Sequence, residues 1–286
     1  MFKKYIFLTL CFLSFISCAQ NKVTLYSKQH NIAPKISIPL AADILVTNAA
    51  NDFNTKFKTI TGQSLQIERS NSLNKNSNYI LLRVNPTQRD AFCVYKRDRN
   101  ITIQGKSAQD LQYAISDFFK RYTNLTYNLL ENTSVDFDVD EEIEIPEVFN
   151  HCSSPTFAYR EPYYAPNFNP DFRAWNKTNY LELEWGIWGH NLPKILKDYK
   201  LPETAYAKVG KKRVESQFCF TSDSLLKYTK ESVKRIYDSD HALNKFMILP
   251  NDNSLVCTCE TCTAIGNTSK DAAPAVFSFM NKLAES

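Results

Sequence analysis

No block of basic residues runs through the 286-residue sequence, and its formal charge is only +4. That balance argues against nucleic acid as a partner, because phosphate binding draws on clustered lysine and arginine. The chain also lacks an apolar run long enough to cross a bilayer as a helix. Its one marked run, residues 5–16, is too short for that. The acidic stretch at 136–147, DFDVDEEIEIPE, lacks the D-x-[DN]-x-[DN]-G spacing of an EF-hand. Its acids alternate with Val139, Ile143 and Ile145, which predicts an edge strand or linker with a solvated face, and Pro146 marks a domain boundary.

What the amino terminus does contain is a leader. Lys3 and Lys4 precede the apolar run, and Ser17-Cys18 close it, as in a secretory signal. The ending FISC resembles a relaxed bacterial lipobox, which makes Cys18 the lipidated first residue of the mature chain. The other reading is a soluble export signal cleaved near Cys18. The expectation is an exported protein of the cell envelope, either an outer-membrane lipoprotein held by its lipid anchor or a periplasmic protein. Residues 1–17 are set aside as a signal peptide. Export permits disulfides, which bears on the six cysteines after Cys18. Aromatic residues make up 13% of the chain, a content that suits both core packing and sugar-stacking surfaces.

Residues 18–147 alternate strand and helix patterns. VTLYS, ISIPL, LQIER and YILLRV predict strands, and FCVYKRDRNITIQG predicts a hairpin turning at Arg97-Asp98-Arg99-Asn100. A helix over 41–60 can present Ile44, Leu45, Phe53, Phe57 and Ile60 on one face, ending at Thr61-Gly62. Ser107 is the expected N-cap of a second helix to Arg121, with Leu111, Ala114, Ile115, Phe118 and Phe119 facing the core. The sum is an α+β sandwich without evident chemistry. Cys93, in an apolar strand, reads as a buried thiol, and His30 as a surface side chain.

The residues Thr61, Gly62, Ile101, Ile103, Gly105, Ser107, Ala108, Leu111, Tyr113, Ala114, Asp117 and Phe118 carry a resemblance. Their pattern is similar to the domain that precedes the catalytic barrel in α-glucuronidases and β-hexosaminidases. The chain departs from it at TNLTYNLL, where such domains have a glycine before the next strand. The resemblance implies a scaffold that carries no catalysis.

Residues 148–286 repeat strand, loop and helix, which predicts parallel βα units. TFAYRE, QFCF and KFMIL read as strands, the segments near 192–199 and 225–237 as helices, and Gly210 as a turn. The ordered set AYRE at 158–161, Gly189-His190, Pro202-Glu203, Tyr206-Ala207 and Gly210 to Arg213 resembles the DUF4838 family, and it continues through Gln217, Cys219, residues 251–253, CTCETC at 257–262 and Asn281. The family has a histidine where Leu201 stands here. The resemblance implies an architecture related to glycoside hydrolase barrels. About four strands are countable where a (β/α) barrel needs eight, so a partial, truncated TIM-like barrel and a fragment of a longer enzyme are expected.

The implied activity is glycoside hydrolysis, which uses two carboxyl groups and no cofactor. Glu161, Glu182, Glu184 and Asp252 stand at expected strand ends, and Asp252 and Glu161 are the catalytic candidates. Arg160 has the planar fork to pair with a uronic carboxylate, or with Glu161 as a salt bridge. His190, Asn251 and Asn253 can hydrogen-bond sugar hydroxyls, while Trp188, with Trp185, Tyr163 and Tyr164, can stack on a pyranose. The expected partner is therefore carbohydrate, and a non-catalytic carbohydrate-binding lipoprotein is the alternative. The strongest spacing is Cys257-x-Cys259-x-x-Cys262, which Cys219 can complete as an all-thiolate structural zinc site. Disulfides to Cys219 or Cys152, and redox catalysis, are the competing readings of the same cysteines.

Overall fold

The computed structural model describes residues 21–128, 133–134, 140–241 and 243–285, so Cys18 and the start of the acidic stretch lie outside the described residues. It is a mixed α/β structure with eight α-helices among the described residues. The chain divides into two compact units, one up to Thr178 and one from Asn179.

The first unit runs β1 (Lys22–Ser27), β2 (Lys35–Ile38), α1 (Ile44–Thr61), β3 (Ile67–Arg69), β4 (Tyr79–Val84), β5 (Phe92–Arg97), β6 (Asn100–Gly105) and α2 (Ala108–Tyr122). It continues through the short pair β7 (Tyr127–Asn128) and β8 (Thr133–Ser134), then β9 (Glu142–Pro146), β10 (Phe149–Ser153) and α3 (Pro170–Asn176). Six strands form one sheet in the order β10-β5-β6-β4-β2-β3. The β4 pairings with β2 and β6 are parallel, as is β2 with β3, whereas β5 pairs antiparallel with both β6 and β10. The acidic strand β9 pairs instead with β1, away from that sheet, with Ile143 and Ile145 buried and Glu142 and Glu144 exposed.

Helices α1 and α2 form because their apolar positions recur at helical spacing and their ends are capped. Asp43 accepts the Val46 N–H at the start of α1, and Ser107 and Asp110 make a reciprocal capping box at the start of α2. Phe53, Phe57, Phe118 and Phe119 are fully buried between helices and sheet, with the Phe53 ring 4.8 Å from that of Phe119. Gly105 makes the tight passage from β6 to α2 possible, since a Cβ there would lie 2.1 Å from the Leu111 nitrogen.

Two expectations change here. Cys93 is not a free thiol but is bonded to Cys152, directly opposite it in the β5–β10 register. The reason is β10, which continues the sheet past β5 and so brings a distant cysteine alongside. The same strand carries the first unit beyond the boundary expected at Glu147.

Asp117 on α2 ties this unit together. Its buried carboxylate accepts the Arg121 Nε–H at 2.6 Å and Lys177 Nζ–H at 3.1 Å, with His151 Nε2 at 3.4 Å. Burial alone would raise its pKa, but the hydrogen bond from Arg121 and the charge of Lys177 outweigh that and hold it below the ordinary carboxylate value. A depressed folded-state pKa adds stability above the unfolded value near 4, lost as pH falls through the folded value. Asp117→Asn is therefore expected to destabilise the protein by about 3 kcal/mol at neutral pH. Urea titrations at a series of pH values should show variant and parent converging as pH falls through the depressed folded-state value; a constant difference would count against the carboxylate as the cause.

The second unit holds α4 (Leu181–Glu184), α5 (Leu192–Leu196), β11 (Tyr206–Val209), β12 (Lys212–Phe218), α6 (Asp223–Ser239), α7 (Glu260–Ala264) and α8 (Ala273–Ala284). Its core gathers Leu192, Leu196, Phe218, Leu225, Ile248 and Phe279. Four parallel strands are not what the described residues form. β11 and β12 are an antiparallel hairpin turning at Gly210, and KFMIL makes one parallel bridge, Phe246 to Ile187. Gly186 allows that approach, because a Cβ there would sit 2.3 Å from the Phe246 ring. The segment TFAYRE is not a strand; Arg160 folds back so that its guanidinium donates to the Phe157 and Ala158 carbonyls, groups a sheet would need.

Candidate functional site

Pro250 and residues 253–257 follow the bridged segment and form one wall of a cleft of about 480 Å³. Gln217, near the end of β12, fixes this wall. Its side chain is buried, 3% exposed, and its Nε2 donates to the Asn251 carbonyl at 3.0 Å and to Asn253 Oδ1 at 3.1 Å. Its Oε1 accepts the Asn251 and Phe218 N–H groups at 3.2 and 3.1 Å. The Asn251 and Asn253 amides both donate to the Ser216 carbonyl at 2.8 Å. The two asparagines expected to meet sugar hydroxyls thus spend donors on shaping their own turn, which leaves Asp252 exposed at its tip. His190 Nδ1 hydrogen-bonds the Pro250 carbonyl, so the loop at Gly189-His190 is pinned to the same turn. With Nδ1 donating, Nε2 remains as an acceptor. Trp188 packs edge-on against Trp185, with ring centroids 4.9 Å apart, and lines a smaller cleft with Glu182, Lys194 and Arg235.

Arg160 and Glu161 belong to the first unit. The Arg160 guanidinium donates to the Lys177 carbonyl at 2.7 Å, to the Phe157 carbonyl at 2.6 Å and to Tyr113 Oη at 3.3 Å. Those acceptors occupy the fork expected to hold a uronic carboxylate. Glu161 is buried, 9% exposed.

The cysteines converge. Cys219 follows β12, Cys257 ends the cleft wall with Cys259 just beyond it, and Cys262 sits in α7. All four are buried, and their Sγ atoms lie within 4.8 Å of one another. Cys219 Sγ is 3.7 Å from Cys259 Sγ and 3.8 Å from Cys262 Sγ. Hydrogen bonds from Cys257 and Cys262 push the Cys219 thiol far below its ordinary pKa. The same proximity to Cys219 raises Cys257 and Cys262.

Two groups around the sulfurs were not legible in the spacing. The Lys208 N–H donates to Cys257 Sγ at 3.2 Å, and Thr221 Oγ1 lies 3.1 Å from Cys262 Sγ and 3.3 Å from Cys219 Sγ. Thr221, two residues after Cys219 behind an apolar strand, was the available signal.

Sheet, helices and thiol cluster define a two-unit α/β protein whose second unit is built around four cysteines. The chain belongs to the DUF4838 family: the model described as "Domain of unknown function (DUF4838)" matches residues 132–286. No curated protein matches it. Among solved structures, it is similar to a GH20 exo-β-N-acetylglucosaminidase from Vibrio harveyi, at 19% identity and a TM-score of 0.32, over 50% of this chain and 18% of that one. The chitobiase of Flavobacterium johnsoniae aligns at 14% identity and 0.31, over 79% and 32% of the two chains. CpGH84B aligns at 13% identity and 0.33, over 93% and 39%. The chain spans well under half the length of each.

Proposed function

We propose that this is an exported glycan-acting protein whose second unit meets carbohydrate in the cleft beside residues 250–257. The lining of that cleft supports the reading. Phe218, Phe220 and Leu255 give it an apolar lining, Ser254 and Ser269 bring hydroxyls, and the exposed Lys270 brings a cation. A sugar offers C–H faces and hydroxyls together, and pockets of this size bind small molecules with an apolar floor and a few placed polar groups. Lys270 favours a glycan bearing a carboxylate. The Cys93–Cys152 disulfide fits an oxidising compartment, in keeping with export and anchoring through Cys18.

Hydrolysis is the second reading, favoured by Asp252, which stands exposed on the turn between the cleft-lining residues Pro250 and Asn253. In it the second unit forms part of a (β/α) barrel, a reading that the parallel Ile187–Phe246 bridge supports, and Asp252 acts with a further carboxyl. Binding titrations of the full chain with uronic-acid and hexosamine oligosaccharides test both readings. Lys270→Ala is expected to weaken uronic ligands about tenfold, roughly 1.4 kcal/mol, and neutral ones little. Sugar released by the parent but not by Asp252→Asn would establish hydrolysis. No binding to any glycan would overturn the proposal.

A further inference from the structure

We propose that Cys219, Cys257, Cys259 and Cys262 bind one zinc ion as a closed four-thiolate site that braces the cleft wall. A zinc–sulfur bond of about 2.3 Å in a tetrahedron sets its sulfurs about 3.8 Å apart. The separations of 3.7 and 3.8 Å from Cys219 to Cys259 and Cys262 meet that edge length, and no Sγ pair of the four exceeds 4.8 Å. A disulfide would bring its sulfurs to about 2.05 Å and leave the other pair to find a bond of its own. Cys257 and Cys259, two residues apart, cannot easily supply one.

The surroundings suit bound thiolates. A zinc held by four thiolates leaves a net negative charge, which a buried site must meet with donors. The Lys208 N–H reaches Cys257 Sγ at 3.2 Å, and the Thr221 hydroxyl, 3.1 Å from Cys262 Sγ, can turn its proton to that sulfur. Four protein ligands fill the tetrahedron, so the ion has no open position for water or substrate and serves structure. Binding exchanges thiol protons for the metal: each thiol that is protonated beforehand releases one proton, and no electron is transferred.

The site joins what the hairpin alone does not. Cys219 extends from β12, Cys257 lines the cleft, and Cys262 carries α7. The Cys257 carbonyl accepts the Asn267 amide at 3.1 Å, and Asn267 Oδ1 accepts the Ala275 N–H of α8 at 3.0 Å. One ion would thereby fix the cleft wall between β12 and α8.

Elemental analysis of the full chain, purified without chelator, is expected to give one zinc per chain. Exchange with cobalt should produce the intense visible and near-ultraviolet bands of tetrahedral cobalt thiolate. Alkylation after unfolding with chelator but no reductant should label these four cysteines and leave Cys93 and Cys152 unlabelled. Thr221→Val keeps every ligand, and is expected to hold one zinc with an affinity lowered about 10- to 100-fold. Cys262→Ser should lose the metal; if that variant does not fold, the cobalt spectrum of the parent decides. Metal-free protein, four blocked thiols, one iron per chain in place of zinc, or undiminished zinc in a folded Cys262→Ser would each overturn the proposal.

Discussion

Gln217→Leu is expected to lower stability by about 3 kcal/mol and to abolish measurable glycan binding at the cleft. The side chain answers four groups at once: the Asn251 N–H and carbonyl, the Phe218 N–H and Asn253 Oδ1. Leucine has similar bulk and no hydrogen-bonding atoms, so the Phe218 N–H and the Asn251 backbone lose partners at about 1–3 kcal/mol for each group kept from water. Asn253 is exposed, and water replaces its contact. The turn then loses the anchor that sets its path along the cleft. Gln217→Glu separates shape from pairing, since its carboxylate accepts both N–H groups but cannot donate to the Asn251 carbonyl. Urea midpoints should rank parent above both variants. If Gln217→Leu keeps the parent's stability and binding, Gln217 does not organise the wall.

Removing the Cys93–Cys152 disulfide is expected to cost about 4 kcal/mol. The two residues are 59 apart in sequence, and cross-linking a loop of that length removes a large share of the unfolded chain's freedom. The bond also holds β10, an edge strand of the six-stranded sheet, onto β5. Cys93→Ser with Cys152→Ser should shift the urea midpoint of the first unit while leaving the metal content of the second unchanged. A double variant as stable as the parent would mean that the β5–β10 pairing stands without the bond.

The first unit was legible because its signals are local. Ser107 caps α2, the helix over 44–61 keeps Phe53, Phe57 and Ile60 on one buried face, and the hairpin turns between Arg97 and Asn100. Cys152 was not legible as the partner of Cys93, because nothing near residue 93 announces a strand arriving from residue 149. In the second unit, apolar runs such as KFMIL read as strands, yet a ladder needs a neighbour, and among the described residues Phe246 bridges only to Ile187. The cysteine cluster was readable from spacing because three of its four members lie within six residues. That Asn251 and Asn253 hold their own turn was hidden for a related reason. A short polar side chain at a turn competes for its own backbone, and here the Ser216 carbonyl wins both amides.

The thiol cluster bears on how the chain matures. The six cysteines after Cys18 admit 15 ways of pairing into three disulfides. If four are gathered on an ion before oxidation, Cys93 and Cys152 are left with a single choice. A metal taken up early would then act as a protecting group, and oxidative folding in zinc-depleted medium should yield scrambled isomers instead of one product.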